Sequence, residues 1–356
     1  MTAGTSGPGR RKVLGMMLAG LAVPAVAAAP PAQAQRRVGV ASYNLYLGAD
    51  LQPLFTASNQ LELVQRAAQI YGGMEATNFP ERAGAVADLI SARNPDLVGL
   101  QEVALWERGP QNGALTVTYD FLGLLLAELA ARGTPYRAVA SNTNFTGQLP
   151  ISMTDQARFT DHDVIIVRDD LPVSRLRVAS PQSYNFAVKL DIPTSIPGVA
   201  FTVPRGYSTV DVTVRGKTFR FANGHLEAFG PAAVRNAQAQ ELAAALAASP
   251  HPVVLVGDMN SRPTDTSGAY GALRASGLSD AWLETGGDPN GGWTSGQTDT
   301  LLDPNRIDHR IDYVLGRGVD YVSVEVIGDE EADRSQPTGF WPADHAGVSA
   351  VVALRP

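Results

Sequence analysis

Short apolar runs, each abutting a charged, imidazole or carboxamide side chain, set the strongest limit on what this chain can fold into. Pro252-Val253-Val254-Leu255-Val256 leads directly into Gly257-Asp258-Met259-Asn260. A run of that length bounded by turn residues reads as a buried strand. Asp258 and Asn260 then leave a strand end two residues apart, where a carboxylate and a carboxamide can hold a water and a substrate oxygen together. A strand followed by Gly-Asp is common in α/β proteins, so the weight comes from five companions. Asn44 follows Val38–Tyr43, Glu102 follows Leu97–Gln101 and His225 follows Phe219–Asn223, while Asp312 precedes Tyr313–Leu315 and Asp344-His345 precedes Ala346–Val352.

Helix-like stretches alternate with these runs, which predicts a layered α/β or α+β domain. Glu81–Ala92 carries Val86, Leu89 and Ile90 at helical spacing and stops at Asn94-Pro95, Phe121–Arg132 is Leu-rich and ends at Gly133, and Pro231–Ala248 opens on proline. The last of these joins the His225 run to the Asp258 run, and a strand–helix–strand unit returns the chain to the same edge of a sheet. Asn44, Glu102, His225 and Asp258 then stand at C-terminal strand ends, with Asp312 and His345 at N-terminal ends. All six share one edge if the last two strands run antiparallel to the others. Residues 48–80 form a long connection with a helical pattern around Leu61–Tyr71, readable either as a lid or as surface decoration.

Taken in order, the segments Tyr43-Asn44-Leu45, Leu100-Gln101-Glu102-Val103, Gly224-His225-Leu226-Glu227, Gly257–Pro263, Arg310–Leu315 and Ala343–Val348 resemble the motifs of the endonuclease/exonuclease/phosphatase superfamily. The resemblance spans roughly Val38 to Leu354 and implies a four-layer α/β sandwich of two packed mixed β-sheets, as in DNase I-like enzymes. Two positions depart from the usual pattern: Gly224 stands where threonine is more frequent, and Ala343 where serine is.

The same resemblance implies roles. Glu102 is the expected metal ligand, completed or supported by Asn44 and Asp344, and hard oxygen donors suit Mg²⁺, with Mn²⁺ or Ca²⁺ as substitutes. An imidazole used in catalysis needs a carboxylate on one nitrogen to fix its tautomer. Asp312 is the expected partner of His345, and Asp163 a weaker candidate partner for His225. Asp258 and Asn260 would place water and phosphate, His225 would serve the leaving group, and either Asp258 or His345 would be the base. Arg205, in Arg205-Gly206-Tyr207, could pair with phosphate. Phe79, Trp106, Phe229 and Trp341 are read as aromatic residues of a rim near the site. His251 and His309 take structural readings, and His162 is ambiguous.

Arg10-Arg11-Lys12, the apolar stretch Val13–Ala29 and the small-x-small site Ala32-Gln33-Ala34 predict an export signal, with a partial twin-arginine pattern, cleaved after Ala34. A membrane anchor is disfavoured because Pro24, Pro30 and Pro31 interrupt a stretch already short for a span. Cleavage removes three cations and no acid, taking the formal charge from −7 to −10. So acidic a chain lacks the general basic footprint of a nucleic-acid binder. The absence of cysteine excludes disulfides, thiolate nucleophiles and Cys-ligated zinc. The expectation is a secreted, metal-dependent phosphodiesterase whose partner is a phosphate ester. A phospholipid, with peripheral membrane contact, or a small phosphodiester is favoured over nucleic acid, and no protein partner is expected. A secreted endonuclease and a noncatalytic binding protein on the same fold are the rivals.

Overall fold

The computed structural model describes Met1 and residues 36–355, so the export signal lies almost wholly outside the described residues. In chain order the elements begin with β1 (Arg37–Asn44), α1 (Gln52–Phe55), α2 (Gln60–Ala76), α3 (Phe79–Arg93), β2 (Leu97–Gln101), β3 (Leu105–Pro110), β4 (Thr116–Asp120) and α4 (Phe121–Ala131). Then follow β5 (Tyr136–Pro150), β6 (Asp155–Arg168), β7 (Leu176–Asn185), β8 (Leu190–Pro193), β9 (Ala200–Val203), β10 (Gly206–Val214), β11 (Lys217–His225) and α5 (Ala232–Ala247). The chain closes with β12 (Val253–Asp258), α6 (Ala269–Ala275), β13 (Ser279–Asp280), α7 (Ala281–Glu284), β14 (Asp312–Arg317), β15 (Val319–Ile327) and β16 (Gly347–Leu354).

Two mixed sheets pack face to face. The first has eight strands in the order β15-β16-β1-β2-β6-β3-β4, with β5 also paired to β6, and the second has six in the order β13-β14-β12-β11-β10-β7. Their facing sides bury an apolar layer that includes Val38, Ile165, Val210, Phe221, Val254 and Val352. Strands buried on both faces read as continuous apolar runs rather than alternating ones, which is why the site strands are visible in the sequence. The outer face of the first sheet is covered by α3 and α4 through Val86, Ile90, Leu125 and Leu129. The outer face of the second is covered by α5 and α6 through Leu242, Leu246 and Leu273. Helix, sheet, sheet, helix is the expected four-layer arrangement.

Local signals set the helix ends. Asn59 caps α2 by accepting from the Glu62 N–H at 3.0 Å, and Asp120 caps α4 by accepting from Gly123 at 3.0 Å. Asn94 ends α3 in the left-handed conformation (φ 50°). The 48–80 connection is α1 plus α2, and α2 buries Leu63, Ala67, Ile70, Tyr71 and Met74 in the core. It is an integral part of the fold. The sheets approach closely at Gly99, where an added Cβ would lie 2.4 Å from Val256 Cγ2 and 2.6 Å from Asn223 Oδ1. Among the described residues no helix is long and apolar enough to cross a membrane.

Candidate active site

Strand register brings the polar residues together. β1 and β2 are parallel with Asn44 opposite Gln101, so Asn44 and Glu102 emerge at the same edge of the first sheet. β16 runs antiparallel to β1, which brings Asp344 and His345, just before it, to that edge. In the second sheet, parallel β11 and β12 set His225 beside Asp258, and antiparallel β14 sets Asp312 on the other side of Asp258. The antiparallel direction required of the last two strands is met. Half of the site therefore belongs to each sheet.

Backbone strain marks two of these positions. Glu102 has φ 54° and Asn260 φ 48°, both in the left-handed region that non-glycine residues seldom occupy. The Glu102 turn directs Oε2 to accept the Leu47 N–H at 2.9 Å and Oε1 to accept Asn44 Nδ2 at 3.3 Å. Asn44 Nδ2 also donates to Asp258 Oδ2 at 3.2 Å, while Asn44 Oδ1 accepts from the Tyr46 N–H. A carboxamide so oriented positions carboxylates. Asn260 is held by its N–H to Asp258 Oδ1 at 2.9 Å and by Nδ2 to the Leu226 carbonyl at 2.9 Å.

Two imidazole–carboxylate pairs converge on Asp258. His345 Nδ1 lies 2.8 Å from Asp312 Oδ2, leaving its Nε2 3.9 Å from Asp258 Oδ2. His225 Nδ1 lies 3.3 Å from Asp163 Oδ1, leaving its Nε2 3.7 Å from the same Asp258 oxygen. Burial pushes the His345 imidazole down, but Asp312 and Asp344 outweigh it and hold the group well above its usual 6.5. Burial and the Arg205 charge likewise push His225 down, and Asp163 with Asp258 raises it overall. Burial and the Asp312 charge raise Asp258.

Arg205 is buried, its guanidinium drawn inward by acids. Its Nη1 pairs with Asp161 Oδ2 at 3.1 Å and lies 3.3 Å from His225 Nδ1, and its Nε lies 3.8 Å from Glu227 Oε2. Asp161, raised to about 7 by burial and by the Asp163 charge, keeps Oδ1 without a partner among the described residues. The sequence reading did not select Asp161 and Glu227. Alternation along β6 puts Asp161 and Asp163 on one face, and Glu227 is two residues past His225, so both signals were present. His162, between the two aspartates, has its Nδ1 3.2 Å from the Val103 carbonyl and takes no part in this network.

The hard-donor end of the site lies around Glu102 and Asp344. Asp344 is half-buried, and its carboxyl is held up to about 7, first by its removal from water and then by the charges of Glu102 and Asp258, while its Oδ1 has no partner among the described residues. Beneath it lies Arg82, fully buried, whose guanidinium donates to the carbonyls of Leu45, Tyr46, Thr77 and Pro342. Arg82 thereby ties the turn after Asn44 to the turn before Asp344. A charge-deficient carboxylate set with an orphaned oxygen fits a divalent cation. Asp258, Asp312 and His345 also bring three ligand-type atoms within 4.8 Å of one another. There Asp312 Oδ2 and His345 Nδ1 already satisfy each other, while Asp312 Oδ1 has no partner among the described residues.

Part of this network opens on a cavity of about 300 Å³, while His225, Asp163, Asp312 and Asn44 lie behind its lining. Glu102, Asp161, Arg205, Asp258, Asp344 and His345 form its polar floor, and one side is apolar. Of the four aromatic residues read as a rim, only Phe229 lines this cavity; Phe79 and Trp341 are 1% exposed core residues, and Trp106 packs behind Phe159. Large aromatic side chains near motif residues were drawn into the core by the apolar area they remove from water.

A family model, the Endonuclease/Exonuclease/phosphatase family, matches residues 41–345. The chain belongs to that family. The family comprises phosphoesterases and nucleases that typically use divalent metals. No curated protein matches the chain in sequence. Among solved structures, a humanised D. rerio TDP2 is similar with a TM-score of 0.54 at 18% identity, over 89% of this chain and 98% of that one. A Bacteroides thetaiotaomicron VPI-5482 mannosyl-6-phosphatase has a TM-score of 0.54 at 19% identity, over 88% and 99%. A further family protein from Bacteroides thetaiotaomicron has 0.54 at 16%, over 90% and 95%. These likenesses establish the DNase I-like fold.

Proposed function

We propose that the protein is an exported, divalent-metal-dependent phosphodiesterase acting on a small or lipid phosphodiester. The observation that carries the chemistry is the convergence of two carboxylate-oriented imidazoles on one Asp258 oxygen, at 3.7 and 3.9 Å. Both imidazoles are held toward the cationic form, which makes them donors to phosphoryl and leaving oxygens rather than bases. Asp258, lifted by burial and by Asp312, is then the group that accepts the proton of the attacking water, with Asn260 beside it to orient that water. Arg205, already committed to Asp161, holds the His225 side of the site and offers a fixed positive charge to the phosphate. Glu102 and Asp344, with Asn44 setting the Glu102 carboxylate, would hold a divalent cation, which would supply charge neutralisation at the phosphoryl oxygens. Export rests on Arg10-Arg11-Lys12, the apolar stretch and Ala32-Gln33-Ala34.

The net charge of −7 and the compact cavity favour a small or lipid ester over a nucleic acid. The relatives span both chemistries: one TDP2 structure holds a single-strand DNA product, and another relative is a mannosyl-6-phosphatase. Assay of one preparation with Mg²⁺ against bis(p-nitrophenyl) phosphate, sphingomyelin vesicles, plasmid DNA and p-nitrophenyl phosphate decides among them. Hydrolysis of the small diester or the vesicles, lost in chelator and restored by Mg²⁺ or Mn²⁺, is the expected result. Rapid plasmid nicking with the other substrates inert makes the protein a nuclease, and full activity in chelator removes the metal.

A further inference from the structure

The cavity is lined by two chemistries. Besides its polar floor and the polar side chains of Asp50, Gln52 and Asp299, it is bordered by Leu51, Phe55, Phe145, Phe159, Val203 and Phe229. They come from separate parts of the chain: Leu51 and Phe55 from around α1, Phe145 from β5, Phe159 from β6, Val203 from β9 and Phe229 from the turn after β11. The rings support one another. Phe55 meets Phe201 and Phe229 edge-on at centroid separations of 5.3 and 6.3 Å, and Phe145 lies 6.3 Å from both Phe159 and Phe201. Behind Leu51, Phe145 and Phe159 a second, largely apolar cavity of about 40 Å³ continues the wall inward.

A family member needs only the polar floor to hold a phosphate, so this wall calls for a separate explanation. Phe55 and Phe229 are only partly buried, although both would leave water more completely against a core. Apolar rings kept facing a polar reaction cavity lose free energy unless an apolar group of the ligand covers them. A cavity of about 300 Å³ is at the small end for ligand sites, which limits the group to about one ring or a short chain beside the phosphate.

Resting on the phosphoesterase reading above, we infer that one ester group of the substrate is apolar and about the size of a single ring, and seats against Leu51, Phe55, Phe145 and Phe229. The α1 turn and the β8–β9 hairpin are then specificity elements, and the polar floor alone is shared with esters of any kind. Sugar or nucleoside esters would place hydroxyls against phenylalanine rings without hydrogen-bond partners, which costs affinity.

The test is calorimetric binding of methyl phosphate, phenyl phosphate, hexyl phosphate and thymidine 5′-monophosphate to the full chain with Mg²⁺, beside hydrolysis of bis(p-nitrophenyl) phosphate. Covering one ring predicts phenyl or hexyl phosphate binding about tenfold or more tightly than methyl phosphate. Phenyl ahead of hexyl marks an aryl ester as the source, and hexyl ahead of phenyl an alkyl or lipid one. Phe55→Ser and Phe229→Ser should each pull the ratio toward one, and Phe55→Leu, which keeps apolar volume, should retain most of it. The ratio is internal to each variant, so a poorly folded variant that binds neither ligand is replaced by the other. Equal binding of methyl and phenyl phosphate overturns the inference, as does thymidine monophosphate binding tightest with no response to Phe55→Ser. Hydrolysis absent while the ratio persists would instead remove the phosphoesterase reading and leave the apolar subsite standing.

Discussion

Asp258 Oδ2 is the most heavily shared atom of the site, with Asn44 Nδ2 at 3.2 Å and both imidazoles within 3.9 Å. A single carboxylate oxygen so surrounded can take a proton only if neither imidazole takes it first, and the carboxylates behind the imidazoles ensure that. Replacing His345 or His225 with alanine should lower turnover by about 10²- to 10⁴-fold with the circular dichroism spectrum unchanged. Asp312→Asn should also lower it, because the amide no longer favours the protonated ring. Near-normal turnover in both alanine variants would show that these histidines are structural. At this scale the sequence was most legible. The motif side chains sit beside apolar runs, and runs buried on both faces are unmistakable. Asp161 escaped because a lone carboxylate has no pattern of its own beyond β6 alternation, and Glu227, although it closes the Gly224–Glu227 motif, was given no role because nothing in the sequence shows that it faces Arg205.

Strand order and direction do the positioning, and they followed from a few connections. α5 forces β11 and β12 parallel, and β14 must then run back beside β12 for Asp312 to meet His345. The elements that were not legible are those with weak patterning. β5 includes Ser141-Asn142-Thr143-Asn144 and Thr146-Gly147-Gln148, polar residues on a strand reaching past the core, while α1 has four residues and β8 and β9 four each. Of these, α1, β5 and β9 supply apolar lining of the cavity, which is why its character emerged only from the structure. Where the sheets touch, Gly99 admits no side chain without displacing Val256 or Asn223. Gly99→Ala should destabilise the fold by about 1–3 kcal/mol, read as a lower denaturant midpoint. It should also reduce turnover, since β2 leads into Glu102 and β12 into Asp258. An unchanged midpoint would mean that the sheets separate freely at that point.

For the whole molecule, pH and metal are linked. Asp161 and Asp344 are raised from the ordinary 3.8 to about 7, so between those limits the metal-free fold binds protons that the unfolded chain has released. Its stability therefore falls as pH rises from about 4 to about 7, and the raised histidines act in the same direction above 6.5. On the proposed reading, cation binding would require the ionised Asp344 and release its proton. The melting-temperature gap between Mg²⁺-saturated and chelated protein should accordingly be small at pH 5 and widen through pH 7. A gap independent of pH would exclude Asp344 from the cation site. The division of the site between sheets has a kinetic meaning as well. Neither sheet carries a working half, so turnover reports the docking of one sheet on the other rather than the formation of either. On refolding, strand and helix signals should return before activity does, and the delay between them measures the time the two halves take to find each other.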